Sequence, residues 1–381
     1  MRVAVVTTEP TASRVPQFDR LAKRPGLDLM VFYSAQTTQR RRWSLELDHP
    51  HEILPGFTIP LERVLWHDYP VTPAIWSRLE RGRFDCVVIW GWSTFASELA
   101  VAWCRLRGRP YVLFAESQLD DRRPSWVRAV RRLVVPQFVR PAGANLVTGA
   151  RARAHAIAYG ADPQRIWTFA NTVDTRAFAE KAAALRADRE AVRARLGTPA
   201  GATVVLHVGR LLPQKGVDTL VAAVARCASQ PTLLVVGEGP ERASYEEAAA
   251  RLKVDAVFAG ELFGDELIAA YVAADVFALL SRKEPWGVVV NEAAACGLPL
   301  VLSERVGAAG DLLEDGANGF LVAVDDVPAT ANAIETLCAD PSLRSRFGAR
   351  SAELAAAWGY EPSVASFYEA VRAAAAGSRP R

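Results

Sequence analysis

Four charged side chains in the second half of the sequence have types and spacings suited to binding a phosphorylated ligand. Arg210 and Lys215 occur in the segment GRLLPQKG, and Glu284 and Glu292 bracket an apolar run in EPWGVVVNEAAACGLPLV. Guanidinium and ammonium groups bind phosphate through charge-assisted hydrogen bonds, and carboxylates accept hydrogen bonds from hydroxyl groups. These residues predict a site for a ligand that carries both phosphates and hydroxyls.

The basic pair lies in a predicted strand–turn–helix. The segment TVVLHVG (203–209) is apolar like a buried strand, and Gly209 begins the turn that carries Arg210 and Lys215 to Gly216, where a helix is predicted. Two cations at the carboxyl end of a parallel strand, beside a helix N-terminus, are suited to phosphate. The alternative is an exposed basic pair, although Lys215 is one of only five lysines.

The acidic pair flanks a second predicted helix, within WGVVVNEAAACG. Glu284 lies in the loop after the predicted strand DVFALL, and Glu292 lies deeper in the helix. The amides of Gly287, Val288 and Val289 would point out of the helix N-terminus with partial positive charge. A nucleotide diphosphate sugar would satisfy all three features. A capping glutamate and a core glutamate paired with an arginine would also explain the two carboxylates.

A third loop, VVGEGPER (235–242), superficially matches a dinucleotide-binding pattern. The GxGxxG fingerprint needs a glycine where Arg242 stands, and the loop does not follow the first strand of the chain. We therefore do not assign this loop to a dinucleotide cofactor.

Short apolar runs alternate with helix-length segments along most of the chain. The predicted strands are 2–7, 27–33, 84–90, 110–115, 144–149, 165–170, 203–209, 232–237, 256–260, 275–280 and 298–303. This pattern predicts two doubly wound, Rossmann-like α/β domains in tandem, with the ligand site in the cleft between them. We place the domains at 1–172 and 173–360, with helix and linker at 175–200. A C-terminal helix in 361–381 either packs on its own domain or crosses back to the first.

Composition is that of an ordinary globular protein. The chain has 381 residues, half of them apolar, and no window long and uncharged enough to span a bilayer. The start MRVAVVTTEP lacks the features of a signal peptide. Five widely spaced cysteines, without CxxC pairs, predict a reducing environment, and we expect a cytoplasmic protein.

Taken together, GRLLPQKG, VVGEGPE and SRKEPWGVVVNEAAACGLPLV resemble the motifs of the retaining GT-B glycosyltransferases of family 4. The likeness is strong over about 203–323, including EDGANGFLV, and weaker but continuous across the first half. These are two-domain enzymes that transfer a sugar from a nucleotide diphosphate. The two glutamates match the E-x7-E motif of that family.

The resemblance assigns roles to the motif residues. It implies that Arg210 and Lys215 hold the diphosphate, that Glu284 contacts the transferred sugar and that Glu292 accepts hydrogen bonds from the ribose hydroxyls. Backbone around Glu261 and Leu262 would contact the base. The remaining members of the implied donor site are Gly209, Gly287, Val288 and Val289.

The first half departs from the family pattern in two places. Family members often carry a glycine pair after the first strand, whereas this loop reads TTEPTASRVPQF. Many also carry a histidine after the fourth predicted strand, where this chain has Glu116 in VLFAES. A carboxylate there would orient an acceptor or meet a cationic one. The alternative is that Glu116 pairs with a nearby arginine and only shapes its loop.

The resemblance also implies a mechanism without a cofactor. The configuration at the anomeric carbon is retained, with attack on the same face as the leaving group and a donor phosphate oxygen taking the acceptor proton. No D-x-D pair occurs in the sequence, so a bound metal is not required. The alternatives on this fold are a nucleotide-sugar epimerase, a phosphorylase, or a nucleotide-sugar-binding protein that has lost catalysis. No lysine is an obvious partner for the pyridoxal phosphate of a phosphorylase.

The segment RRPSWVRAVRRLVVPQFVR (122–140) contains six arginines and no acidic residue. It lies in the basic half of the chain: residues 1–172 carry 24 basic against 15 acidic side chains, a net charge of +9, and residues 173–381 carry 21 against 27, a net of −6. The segment predicts either peripheral contact with an anionic membrane, at its inner face, or a packed helix with a solvated basic face, interrupted by Pro136. We expect no nucleic-acid partner.

Overall fold

The computed structural model describes residues 1–36, 46–59, 69–116 and 125–377. The chain divides into two compact units. The first comprises Met1–Asn171 and Tyr360–Arg381, and the second comprises Thr172–Gly359. The division after Asn171 lies one residue before the predicted end of the first domain, and the C-terminal helix belongs to the first unit.

The first unit is built on a seven-stranded sheet in the order β3-β2-β1-β6-β7-β8-β9. All neighbouring strands in this sheet are parallel. β4 and β5 form a separate antiparallel pair. The strands are β1 Arg2–Thr7, β2 Asp28–Tyr33, β3 His51–Ile53, β4 Phe57–Ile59, β5 Tyr69–Val71, β6 Cys86–Trp90, β7 Tyr111–Ala115, β8 Ala144–Val147 and β9 Ile166–Thr168.

Helices cover this sheet, which explains why its central strands are apolar on both faces. Those described before the second unit are α1 Val15–Ala22, α2 Ala74–Gly82, α3 Phe95–Leu106, α4 Ser125–Val134, α5 Pro136–Val139 and α6 Ala150–Ala158. Thr94 caps α3, since its side chain accepts a hydrogen bond from the amide of Ser97.

The second unit contains a six-stranded parallel sheet in the order β12-β11-β10-β13-β14-β15. Its strands are β10 Val204–Val208, β11 Thr232–Val236, β12 Ala256–Gly260, β13 Val276–Leu279, β14 Leu300–Ser303 and β15 Gly319–Val322. Its helices are α7 Thr175–Leu185, α8 Arg189–Arg195, α9 Val217–Val224, α10 Arg242–Arg251, α11 Gly264–Ala273, α12 Val288–Ala295, α13 Ala309–Leu312, α14 Val327–Ala339 and α15 Pro341–Ala356. This strand order is that of the doubly wound Rossmann fold.

The predicted fold class is therefore confirmed: both units are Rossmann-like. Every predicted strand is present, although the one predicted at 165–170 is limited to Ile166–Thr168. The apolar pattern does not predict β3, β4 or β5, because these strands have only three residues each and the side chains of β3 and β4 are mostly exposed. Nor does it predict β15. Among the described residues, no helix has the length and apolar character needed to cross a bilayer.

The last helix, α16 (Tyr360–Ala376), packs against the sheet of the first unit. Its buried residues Val364, Phe367 and Val371 follow helical spacing and join the core that contains Phe18 and Phe169. The ring centroids of Phe367 and Phe169 lie 5.2 Å apart. The end of the chain thus completes a core formed by its beginning.

This packing predicts that Phe367→Ala destabilises the first unit by about 3–5 kcal/mol, because a fully buried aromatic ring is removed. Urea denaturation combined with hydrogen exchange should show faster exchange in β1 and β9. The exposed neighbour Glu369 provides the control, since Glu369→Ala should leave both measurements unchanged. Loss of protection confined to the second unit would contradict this assignment of α16.

Candidate functional site

The loops that carry the predicted basic and acidic residues lie side by side in the second unit. β10 pairs with β13 in parallel, with Val205 opposite Val276, so the carboxyl ends of these strands are neighbours. In a doubly wound sheet this is the switch point of the strand order, where ligands bind. Here the Nζ atom of Lys215 and the Oε2 atom of Glu284 form an ion pair, and both side chains are mostly buried.

The shape of the Lys215 turn depends on a glycine. Pro213–Lys215 form one turn of 3-10 helix, and Gly216 follows with φ at +67°, in the left-handed region. A Cβ atom at Gly216 would clash with the carbonyl oxygen of Leu280 in the β13 loop. A larger residue would therefore separate the two loops. Arg210, on the same turn, is exposed.

The neighbouring loop after β11 supports this turn through close backbone contact. A Cβ atom at Gly237 would clash with the carbonyl of Gly209, and one at Gly239 would clash with that of Leu211. The amide of Leu211 donates to the carbonyl of Glu238 at 2.9 Å. Gly237 and Gly239 of VVGEGPER thus allow close contact with the backbone that carries Arg210. The sequence pattern alone did not assign them this structural role.

Arg282 ties the two loops together, and the sequence analysis missed it. Its guanidinium donates to the carbonyl of Pro213 and pairs with Asp218 at 2.7 Å and with Asp325 at 2.8 Å. Its backbone amide donates to the carbonyl of Gln214 at 2.8 Å. The two carboxylates raise the pKa of Arg282 above its usual range. Arg282 therefore fixes the position of the turn that ends in Lys215.

A neutral histidine lies beneath the basic turn. His207 is fully buried, and its Nδ1 atom lies 3.3 Å from the carbonyl oxygen of Ala278. Burial, followed by the charge of Lys215, lowers the pKa of His207 to about 4. Its Nε2 atom has no hydrogen-bond partner among the described residues. An imidazole kept neutral avoids repulsion with Lys215.

The helix after Glu284 begins two residues later than its sequence suggests. Gly287 is the N-cap, with φ at +90°, and Val288 and Val289 form the first helical residues. Trp286 lies outside the helix and is buried, with its Nε1 atom donating to Asn291 Oδ1 at 2.9 Å. The first amides of the helix have no intrahelical acceptor, so they remain able to bind an anion.

Glu292 finds a partner that sequence reasoning did not identify. The hydroxyl of Tyr271, in α11, donates to Glu292 Oε2 at 2.7 Å. The partner of Glu292 is therefore a tyrosine, and not the arginine that a purely structural role of this glutamate predicted. Burial raises the pKa of Glu292, whereas the Tyr271 hydrogen bond acts in the opposite direction. The carboxylate keeps acceptor capacity beyond this single hydrogen bond.

Two further predicted donor-site residues follow β12. Glu261 is exposed and Leu262 is half-buried. The loop starts beside the glycine-rich turn, because the amide of Gly237 donates to the carbonyl of Gly260 at 2.7 Å. Glu261 and Leu262 thus lie at the same edge of the sheet as the Lys215 turn. The next side chain, Phe263, is exposed.

The remaining predicted residue, Glu116, belongs to the first unit and pairs with an arginine. Arg14 Nη2 lies 3.2 Å from Glu116 Oε1. This pair is the one expected if Glu116 only shapes its loop. Arg14 is buried and also donates to the carbonyl of Ala170 at 2.7 Å. Burial lowers the pKa of Arg14 and the Glu116 carboxylate raises it. The side chain of Glu116 is half-exposed, so it remains accessible to a ligand.

The described residues contain no cluster of side chains suited to binding a metal ion. Within those ranges, no three His, Cys, Asp or Glu side chains are grouped as they would be around a metal ion. All five cysteines are buried and free.

Both halves of the chain match glycosyltransferase family models. Residues 19–177 match Glycosyltransferase Family 4, and residues 188–354 match Glycosyl transferases group 1. Among curated proteins, the chain is 39% identical over 163 residues to the lipopolysaccharide core biosynthesis glycosyltransferase LpsE of Rhizobium meliloti, covering 42% of this chain and 47% of that protein. It is 35% identical over 280 residues to a D-inositol 3-phosphate glycosyltransferase of Kineococcus radiotolerans, covering 66% of this chain and 63% of that protein.

These two matches span less than two thirds of the relatives' length. Solved structures extend the likeness of fold to nearly the whole chain. Anabaena HepE in complex with UDP superposes with a TM-score of 0.75 at 20% identity, covering 98% of this chain and 100% of that one. Each half of the chain is therefore similar to a glycosyltransferase domain, and the whole chain shares the GT-B fold of solved glycosyltransferase structures.

Proposed function

We propose that the chain is a retaining glycosyltransferase that moves a sugar from a nucleotide diphosphate sugar to an acceptor hydroxyl without a metal. The observation that carries the proposal is the Lys215–Glu284 ion pair at the switch point of a Rossmann-like unit. It joins a phosphate-binding cation to a hydroxyl-binding carboxylate beside the N-terminus of α12. HepE, which has the same fold, is described in complex with UDP-glucose, which supports a nucleotide-sugar donor.

The leaving diphosphate would be stabilised by fixed positive groups. Arg210 is exposed to solvent at the start of the turn, and Lys215 is held at its end. The amides of Gly287, Val288 and Val289 add the partial positive charge of the α12 N-terminus. Because these groups are positioned before the ligand arrives, they can stabilise the charge that develops on the leaving group.

Glu284 and Lys215 would remain paired when the donor binds. An ammonium group has three N–H donors, so Lys215 can bind a phosphate oxygen while it still donates to Glu284. Glu284 would then accept a hydrogen bond from a hydroxyl of the transferred sugar. Its backbone is fixed by the segment after β14, because the amide of Gly307 donates to the carbonyl of Glu284 at 2.9 Å.

Glu292 would recognise the ribose. Its hydrogen bond from Tyr271 orients the carboxylate and leaves lone pairs for the ribose hydroxyls. Backbone around Glu261 and Leu262 would contact the base. For the acceptor we propose a hydroxyl of a glycan, a glycolipid or a small molecule, since the relatives reported above are named for lipopolysaccharide core biosynthesis and for D-inositol 3-phosphate.

The decisive experiment is incubation of the protein with a panel of nucleotide sugars, with and without acceptors, and detection of released nucleotide diphosphate. The proposal predicts acceptor-dependent release and a product with the anomeric configuration of the donor, measured by NMR. Binding of nucleotide without release in any combination would favour a nucleotide-sugar-binding protein. Interconversion of donor sugars without an acceptor would favour an epimerase.

Lys215→Ala should weaken binding of nucleotide diphosphate by about 1.5–3 kcal/mol, because a charge-assisted contact is lost. Isothermal titration calorimetry measures this affinity. Lys253→Ala is a matched control, since Lys253 is exposed and lies outside the predicted site. Equal affinity in a folded Lys215→Ala variant would remove Lys215 from the site.

The two glutamates should differ in their effects. Glu284→Gln should lower turnover and leave nucleotide diphosphate affinity almost unchanged, because the sugar is the only part of the donor that Glu284 would contact. Glu292→Ala should weaken nucleotide affinity, because the ribose contacts are lost. Tyr271→Phe tests the same point by removing the hydroxyl that orients Glu292. Small and equal effects on affinity and turnover in all three variants would assign both carboxylates to structure alone.

Glu116→Gln and Glu116→His test whether the carboxylate acts in transfer or only pairs with Arg14. If it orients the acceptor, both variants should bind nucleotide diphosphate normally but transfer about ten- to a hundredfold more slowly, since small displacements at a reacting centre are costly. Circular dichroism and the melting temperature control for loss of the Arg14 pair. Transfer at the parental rate in both variants would make Glu116 structural.

A further inference from the structure

Helix α4 (Ser125–Val134) is amphipathic, and its apolar side chains are exposed to solvent. Trp126 is 69% exposed and Leu133 is 75% exposed, and Val130 and Val134 are also exposed. These four residues follow the spacing i, i+4, i+7 and i+8, which places them on one face of a helix. We call this face the apolar stripe. Contiguous exposed apolar surface is typical of interaction sites.

The helix is attached to the first unit through a basic side chain. Arg131 is buried, with its guanidinium 5.2 Å from the ring centroid of Trp92 and its Nη2 atom 3.4 Å from His155 Nε2. Arg128 and Arg132 are exposed, as a solvated basic face requires, whereas Arg131 is buried. Arg131 is also excluded from the residues that could face lipid. The stripe is turned outward because the opposite side holds the anchoring arginine.

Exposed positive charge lies on the polar side of the helix, away from the apolar stripe. Arg128 and Arg132 are exposed and one helical turn apart. Residues 125–140 contain no acidic side chain, so nothing in this segment offsets the charge. Arg122 and Arg123 precede the helix in sequence, but they lie outside the described residues. A helix with apolar side chains on one side and exposed arginines on the other matches the surface of an anionic bilayer, where tryptophan favours the interface and arginine binds phosphate.

We propose that α4 docks the first unit on an anionic lipid surface. Trp126, Val130 and Leu133 enter the boundary between headgroups and acyl chains, and Arg128 and Arg132 bind lipid phosphates. The helix lies parallel to the surface, in the manner of an interfacial amphipathic helix. This proposal is independent of the chemistry proposed for the second unit, since none of its residues belongs to the donor site.

Flotation of the full-length protein with vesicles tests the proposal. Vesicles of equal parts phosphatidylglycerol and phosphatidylcholine should bind the parent at low salt, and binding should fall as salt rises and with phosphatidylcholine alone. Trp126→Ala/Leu133→Ala should reduce binding about tenfold or more, because two large apolar side chains no longer leave water. Arg128→Glu/Arg132→Glu should reduce it further than tenfold, since each basic residue contributes about fivefold and reversal adds repulsion.

Matched control variants distinguish binding through α4 from nonspecific adsorption of the protein to vesicles. Leu106 is 73% exposed on α3, so Leu106→Ala removes a similar side chain elsewhere and should leave flotation unchanged. Arg109→Glu/Arg195→Glu reverses two exposed charges outside α4 and should have a much smaller effect. Absence of parental flotation at low salt, or equal flotation of the parent and the Trp126→Ala/Leu133→Ala variant, would overturn the proposal. So would a concentration-dependent dimer that the same variant abolishes, which would assign the stripe to a second copy of the chain.

Discussion

The parallel pairing of β10 with β13 is the constraint on which the candidate site depends. It brings together two loops that are about seventy residues apart in sequence, so that Lys215 and Glu284, separated by 69 positions, form an ion pair. The basic turn supplies Arg210 and Lys215 but no carboxylate, and the loop after β13 supplies Glu284. The register of one strand pair thus determines which chemistry the second unit can perform.

Close backbone contacts, more than side-chain bulk, keep these loops in place. Gly216 lies against the β13 loop, and Gly237 and Gly239 lie against the Arg210 turn, at positions where any Cβ atom would clash. Arg282 then joins both loops through side-chain and backbone hydrogen bonds. Preorganisation of this kind matters for catalysis, because groups that are already fixed need no reorganisation when charge develops.

The sequence predicts the sheet strands well, because buried parallel strands are nearly continuous apolar runs with recognisable ends. It also predicts which loops meet at the carboxyl ends of the strands, since those loops follow the strands directly. It cannot predict long-range partners. Tyr271 reaches Glu292 across 21 positions, and Arg282 reaches Asp325 across 43, through packing that no local pattern encodes. Nor does amphipathicity alone reveal which face of α4 is buried, because a single buried arginine reverses the usual arrangement.

The two departures of the first unit from the glycosyltransferase motif pattern are two halves of one interaction. The glycine-free loop after β1 supplies Arg14, and the position after β7 supplies Glu116, its ion-pair partner. Arg14 is held by the carbonyl of Ala170 and lies 4.7 Å from the ring centroid of Phe114 and 4.8 Å from that of Phe169. A neutral histidine at position 116 would leave this buried guanidinium without a counter-charge, at a cost that grows with its burial. The acidic residue and the arginine loop are therefore physically coupled, and replacing one of them alone does not restore the family arrangement.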